Sequence, residues 1–309
     1  MNSLPAVMPH LTSLHHPLDT SPEAFGELES SMDVIDDIHA LRERMDEQGY
    51  LYLPGYLNRD EVLAARHEIV LRLENGGWLD SDYPREDLVA RKNAPISFSP
   101  DLASNNAPLM KVLYHGPMME FYARLFGASI RHFDYTWFRA VPPGVGTAPH
   151  MDIVYMGRGT HNLLTAWTPI GDVSLVMGGL MILEKSHLHE RLNNHYGLKD
   201  VDQFCSNKKG ENYEGMGGGG NIRNGGSLSD KPHKLRENLG GRWLTREYSA
   251  GDLLTFKINT IHASLDNQSN RIRLSSDSRY QKASEPTDER WIGENPIAHG
   301  PKAKRGMIC

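Results

Sequence analysis

The spacing of apolar residues changes period once along this 309-residue chain, and that change does most to limit its fold. In the first part, hydrophobic positions recur at helical spacing. Ile35, Ile38, Leu41 and Met45 follow a Ser-Met-Asp start, and Val62, Ala65, Ile69 and Leu73 follow Asn58 and Glu61, which resemble a capping pair. Gly49 and Gly76-Gly77 stop these two helices, and a short strand, Tyr50-Leu-Tyr-Leu-Pro54-Gly55, lies between them. After a polar loop from Asp80 to Pro108, two further helices are predicted, on Leu109 to Tyr114 and from Pro117 to near Gly127. From Ser129 a period of two takes over: Phe133, Tyr135 and Trp137 alternate with Asp134 and Thr136. Strand-like runs follow at Asn162 to Pro169, Gly179 to Leu183, Trp243 to Tyr248, Asp252 to Phe256 and Arg271 to Arg279. Helices first and strands afterwards predict an α+β chain with a mainly β core, its N-terminal helices bracing a sheet or barrel.

No linker separates the two parts. The expected organisation is an extended arm over residues 1–30, one domain over 31–300 and a tail over 283–309 that overlaps its end; the helical part covers about 31–128 and the β core about 129–282. A polar, Gly-rich insertion at about 188–241 interrupts the core and carries Gly217-Gly-Gly-Gly220 and Gly225-Gly226. Segments of this length are uncommon unless functional or disordered, so it reads either as a surface insertion or as a lid over substrate. It has no dinucleotide-binding or P-loop spacing.

Composition removes several classes of function. A net charge of −6 argues against nucleic acid held on a broad basic surface, and the most basic stretch, Pro301-Lys-Ala-Lys-Arg-Gly, reads as a solvated end. Hydrophobic and charged fractions of 39% and 23% are ordinary for a soluble globular protein. No apolar run approaches the roughly 20 residues of a membrane span. The N-terminus lacks the basic start and apolar centre of a signal peptide. The two cysteines, Cys205 and Cys309, have no neighbour at metal-ligand spacing and are expected to be free thiols in a reducing compartment. The expectation is a cytoplasmic protein acting on a small molecule, without nucleic-acid or membrane partners.

His150, Asp152 and His262 are the candidate metal ligands. In a strand, residues two apart point to the same side, so His150 and Asp152 can reach one ion from one segment. Among 15 His and 39 acidic residues such a pair alone is weak evidence. His262 strengthens it, because it follows the turn and strand Ser249-Ala-Gly251-Asp252-Leu-Leu-Thr-Phe256. Two imidazoles and one carboxylate on one face leave the opposite positions open, as non-heme Fe(II) oxygenases require. Beyond His262, Ser264 points the same way, and Arg273 offers a planar fork for a carboxylate that a lysine would not match. Arg271 is the rival clamp, since alternation sends both arginines to one face.

The array His150-x-Asp152, His262-x-Ser264 and Arg273 resembles the phytanoyl-CoA dioxygenase family of Fe(II)- and 2-oxoglutarate-dependent oxygenases. The similarity extends to Trp167 in Thr165-Ala-Trp-Thr-Pro and to Gly179-Leu-Met-Ile-Leu-Glu-Lys-Ser-His187, where Lys185 replaces the family's usual Gly. It also includes Gly49-Tyr-Leu-Tyr-Leu-Pro-Gly-Tyr, and covers roughly residues 35 to 282. The resemblance implies a double-stranded β-helix, or cupin-like jelly-roll, with Fe(II) held by His150, Asp152 and His262 at one mouth. It implies that Arg273 and Ser264 bind the distal carboxylate of 2-oxoglutarate, that Trp167 lines the cosubstrate pocket, and that O2 is the oxidant. The spacing of Arg273 rather than Arg271 fits the family. Related halogenases have a small residue in place of Asp152, so hydroxylation or desaturation is the expected outcome.

Several other residues are weighed beside these. Arg139 is a candidate substrate or cosubstrate contact, and Tyr135 a weaker one whose bland role is packing. His187-Leu-His189 and Glu184-x-x-His187 have metal-like spacings but no partner, and His132 and His161 read as packing or surface residues. Two rival functions remain open at this point: a metal-dependent isomerase or hydrolase on the same barrel without 2-oxoglutarate, and a non-catalytic barrel binding module.

Overall fold

The structure is a computed structural model that describes residues 4–5, 7–92, 99–204, 224–299, 303 and 305–306. Both cysteines and residues 205–223 of the 188–241 insertion, Gly217–Gly220 among them, lie outside the described residues; the described remainder is not all loop, because it includes the helices Glu190–His195 and Pro232–Leu239.

The helices form where capping side chains and apolar spacing agree. Helix α1, Ile38–Gln48, opens at Asp37, whose carboxylate accepts from the amides of His39 and Ala40, and closes at Gly49 with φ of 78°. Ile35 belongs to the turn before it, because Asp37 captures the first free amides and sets the start later than the apolar period alone predicts. Asn58 caps α2, Arg59–Asn75, as its pairing with Glu61 predicts. Helices α3, Ala107–Tyr114, and α4, Gly116–Phe126, follow, each with Pro in its first turn.

Beside two small two-stranded pairings, the strands build two larger sheets. Strand β1 is Phe25–Glu27, β2 Tyr50–Leu53, β3 Ile130–His132, β4 Trp137–Val141 and β5 Leu163–Pro169. Strand β6 is Leu180–Leu183, β7 Trp243–Thr245, β8 Leu253–Lys257, β9 His262–Ser264 and β10 Arg273–Lys282. The larger sheet runs β2-β8-β5-β10-β3, with β4 also on β10; the smaller runs β9-β6-β7-β1. The predicted run from Ser129 is therefore two strands: β3 pairs with residues 280–282 of β10 and β4 with residues 273–277. Between them the chain turns aside, the Asp134 amide bonding to the Trp291 carbonyl.

From β4 onward the chain passes between the sheets repeatedly, crossing at a bridge of His150 to His262, then to β5, β6, β7, β8, β9 and β10. This is the path of a jelly-roll of cupin-like type, although its sheets do not close into a barrel. The arm before residue 30 is fastened to the smaller sheet: β1 pairs in parallel with β7, and the buried Asp266 carboxylate accepts from Thr12 Oγ1 and the amides of Leu14 and His15.

Alternation along the larger sheet divides two environments. Leu164 and Ala166 of β5, Leu253 of β8, and Leu274 and Tyr280 of β10 join one apolar cluster with Leu41, Ile69, Leu113 and Tyr122 of the four helices. The opposite face, with Trp167, Leu254 and Phe256, packs against Leu180, Ile182 and Leu244 of the smaller sheet. The same parity puts Thr165, Arg273, Ser275, Asp277 and Arg279 on the inner face. Among the described residues, no helix is long and apolar enough to cross a membrane.

Candidate active site

His150, Asp152 and His262 converge. Their ligand atoms lie within 4.8 Å of one another, and among the described residues this is the one group of three or more such side chains able to hold a metal. The backbones of His150 and His262 exchange two hydrogen bonds of 3.0 Å across the bridge between them. Asp152 reaches the pair by a different route from the strand parity expected of it. It adopts αR geometry, φ −63° and ψ −25°, where the chain turns into the short helix Ile153–Met156.

Hydrogen bonding prepares each donor atom. Nδ1 of His150 lies 2.8 Å from the Ala148 carbonyl and Nδ1 of His262 lies 3.0 Å from the Thr260 carbonyl, so each Nδ1 carries the proton and each Nε2 is left as a lone-pair donor. Both Nε2 atoms stand 3.7 Å from Asp152 Oδ1. Asp152 Oδ2 is occupied, accepting from Thr165 Oγ1 at 2.5 Å and Arg279 Nη2 at 2.9 Å. Burial lowers both histidines, His150 to about 3, which keeps them neutral. For Asp152 burial favours the protonated form, but the charge of Arg279, with the hydrogen bond from Thr165, holds the carboxyl below its usual range. Neutral imidazoles beside an ionised carboxylate are the donor set that a divalent cation requires.

A narrow cavity is lined by His150 and His262 together with Arg139, Trp167, Ser264 and Arg273. Arg273 is 2% exposed; its Nη1 donates to Ser275 Oγ at 2.8 Å, and its Nε has no partner. Burial lowers its pKa to about 10, so the guanidinium remains charged near neutrality. Its guanidinium carbon lies 5.9 Å from the centre of the Trp167 ring. Ser264 Oγ accepts from the Thr147 amide at 2.8 Å, which leaves its own proton to donate. Arg271 instead lies exposed before β10, 3.4 Å from Asp87.

Of the remaining candidates, Arg139 alone reaches this cavity. Arg139 lines it and donates to Asp277 at 3.0 Å. Tyr135 does not line it; its ring packs on Trp137 and Trp291, at centroid distances of 4.7 and 5.3 Å. His187 bonds to the Asp46 carbonyl, while His189 Nδ1 caps the next helix, so the pair does not converge. His132 stacks on Tyr114 and His161 is exposed.

Sequence reasoning missed Arg279 and Thr165, the two side chains on Asp152 Oδ2. Parity could have found both, since Arg279 is an even number of residues from Arg273, and Thr165 from Trp167.

Residues 45–275 match the model of the phytanoyl-CoA dioxygenase (PhyH) family, and the chain belongs to that family. It is 26% identical over 162 residues to 1-deoxypentalenic acid 11-beta-hydroxylase of Streptomyces exfoliatus, a stretch covering 50% of this chain and 56% of that protein. The corresponding protein of Streptomyces arenae is 24% identical over 173 residues, 53% of this chain and 60% of its own length. The chain thus spans little more than half the length of these relatives. Among solved structures, the non-heme alpha ketoglutarate dependent epimerase SnoN from nogalamycin biosynthesis superposes with a TM-score of 0.53 at 19% identity, over 86% of this chain and 94% of SnoN. EctD from S. alaskensis superposes with a TM-score of 0.54 at 17% identity, over 94% of each chain. At such identities the likeness is one of fold.

Proposed function

We propose that this chain is an Fe(II)- and 2-oxoglutarate-dependent dioxygenase that hydroxylates a small or mid-sized organic metabolite and releases succinate and CO2. The observation that carries the proposal is the convergence of His150 Nε2, His262 Nε2 and Asp152 Oδ1, each left free because its neighbouring atom is already bonded. SnoN has been solved with Fe3+ and alpha ketoglutarate, and the relatives in sequence are named hydroxylases.

In this reading His150, Asp152 and His262 hold the iron. When bound, iron supplies O2 activation coupled to oxidative decarboxylation of 2-oxoglutarate. Arg273 pairs with the distal carboxylate of 2-oxoglutarate through the donor now without a partner, Ser264 gives its hydroxyl proton to the same group, and Trp167 walls the slot. A buried cation needs such a counter-charge, which a hydrolase or isomerase without the keto acid would not bring. Arg139 is the proposed substrate contact, with Tyr135, which packs on Trp137 off the cavity lining, the weaker candidate. Asp152 favours hydroxylation over halogenation, because its carboxylate fills the place a halide would take. We further assign residues 31–300 to one domain and the protein to the cytoplasm, consistent with its two unpaired-spacing cysteines.

The test is an anaerobic titration with Fe(II) and 2-oxoglutarate, following the visible metal-to-ligand charge-transfer band. The band and O2-dependent succinate formation are expected from the native chain, and His262→Ala should lose both with Fe(II) binding itself. Normal Fe(II) binding without the band would overturn the 2-oxoglutarate assignment.

A further inference from the structure

The two oxygens of Asp152 have different surroundings, and an arginine makes the difference. Oδ1 faces both imidazoles at 3.7 Å. Oδ2 is turned away and held by Arg279 Nη2 and Thr165 Oγ1. We propose that Arg279 is a positioning residue for the metal centre: with Thr165 it occupies Oδ2, limits Asp152 to ligation through one oxygen, and so keeps the positions opposite the triad open. The inference rests on the reading of Asp152 as an iron ligand.

Arg279 is built for one contact. It is 2% exposed, and its guanidinium carbon lies 4.4 Å from the centre of the Trp137 ring. Trp137 in turn packs on Trp291 at 4.7 Å. Stacking on the aromatic face fixes the guanidinium plane while using none of its N–H groups. Nε and Nη1 have no partner, so the single N–H that is used goes to Asp152.

An arginine paired for strength alone takes both carboxylate oxygens in a fork. Here the approach is to one oxygen, and the other is surrendered to the histidines. A buried ion pair also contributes little net stability, since desolvation offsets the attraction. Two unmet donors make this one still less favourable to folding. Orientation of the carboxylate is what the arrangement achieves, because a ligand whose second oxygen is bonded cannot swing to chelate. Arg279 lies just past the stretch, residues 45–275, that matches the family model.

The test compares the native chain with Arg279→Gln, Arg279→Lys, Thr165→Val and His262→Ala. Three quantities are measured: Fe(II) affinity by anaerobic competition with a chelator, the position of the charge-transfer band with 2-oxoglutarate, and thermal unfolding of the metal-free protein. Arg279→Gln should weaken Fe(II) binding about 10- to 100-fold and shift the band, as loss of a group bonded to a metal ligand does. Arg279→Lys should recover part of that loss, and Thr165→Val should give a smaller one. A merely structural arginine would lower the unfolding temperature and leave the affinity of the folded protein unchanged; that result overturns the proposal. Should Arg279→Gln fail to fold, Thr165→Val decides, since native Fe(II) affinity there means that restraint of Oδ2 is unimportant. A native chain that binds Fe(II) no better than His262→Ala overturns the metal centre itself, a result distinct from failure of the Arg279 role alone.

Discussion

Two buried arginine–aspartate centres among the described residues, at Arg279 and Arg290, differ in how completely they are satisfied. At the first, Arg279 uses one of its N–H groups on Asp152 and leaves Nε and Nη1 unpartnered. At the second, Arg290 is fully enclosed, and each of its nitrogens is bonded. Nε and Nη2 donate to the two oxygens of Asp288 at 2.9 and 2.5 Å, and Nη1 donates to Asp202 at 2.6 Å and Asp200 at 3.2 Å. His299 adds a 2.7 Å contact to Asp202. Burial alone would lower the pKa of Arg290, but its bonds to Asp288 and the neighbouring carboxylates raise it. The saturated centre ties residues 288–299 to residues 200–202 and offers nothing further to a ligand. The unsaturated one stands beside two bare Nε2 atoms and a cavity. Unmet hydrogen-bonding capacity, concentrated among charges of both signs, marks the site; complete pairing marks a fastening.

Arg290→Met breaks the comparison most severely. It strips the cation from Asp202 and Asp288, both fully buried, and breaking a pair of this kind costs about 3–5 kcal/mol. Chemical denaturation of the metal-free protein should register that loss, while the fraction still folded keeps native Fe(II) affinity. If Fe(II) affinity falls instead with stability unchanged, the second centre is not a mere fastening.

Arg273→Ala tests the unsaturated side. Loss of hydrogen bonds to a charged group costs about 1.5–3 kcal/mol, so the Kd for 2-oxoglutarate should rise more than tenfold, with Fe(II) affinity retained. Arg271→Ala removes only an exposed pair with Asp87 and should alter binding and stability by no more than about 0.5 kcal/mol. Calorimetry under anaerobic conditions separates the two variants. The opposite ranking would move the clamp to Arg271.

Much of this was legible in the sequence where physics is local. Apolar spacing with capping and proline signals placed the four N-terminal helices but not the later ones at Ile153–Met156, Glu190–His195 and Pro232–Leu239, and the period of two placed most strands to within a few residues. Pairing between distant segments left no such trace. Nothing in Phe25–Glu27 announces that it joins the smaller sheet in parallel beside Trp243–Thr245. The His262 run was readable in part: its Asp266 looks like one more polar loop residue, yet it holds Thr12, Leu14 and His15 of the arm. Strand parity left Arg271 and Arg273 equivalent, and their difference is one of burial, which depends on where β10 begins. Arg279 escaped notice because it acts through Asp152 and belongs to no motif, although alternation from Arg273 points to its face.

His187 sharpens the comparison at its weakest end, because an unmet donor or acceptor alone does not make a site. The side chain is 4% exposed, Nε2 contacts the Asp46 carbonyl at 2.8 Å, and Nδ1 has no partner. It sits against α1: a Cβ added at Gly49 would lie 2.3 Å from Nδ1, so the turn that ends the helix is also its socket. Among the described residues it belongs to no group of three metal-ligating side chains, and burial lowers its pKa below the ordinary value. The unfolded chain therefore binds a proton at a higher pH than the folded one. His187 contributes stability that is fully present above about pH 6.5, the unfolded value, and is lost as the pH falls toward the folded value. His187→Gln keeps a donor for Asp46 and removes the titration. Denaturation midpoints measured from about pH 8 to 5 should fall more steeply for the native chain than for this variant, and the gap should open below about pH 6.5. A variant that falls as steeply as the native chain would assign the whole acid sensitivity elsewhere, with His150 and His262 the first groups to examine, since burial lowers both in the same direction.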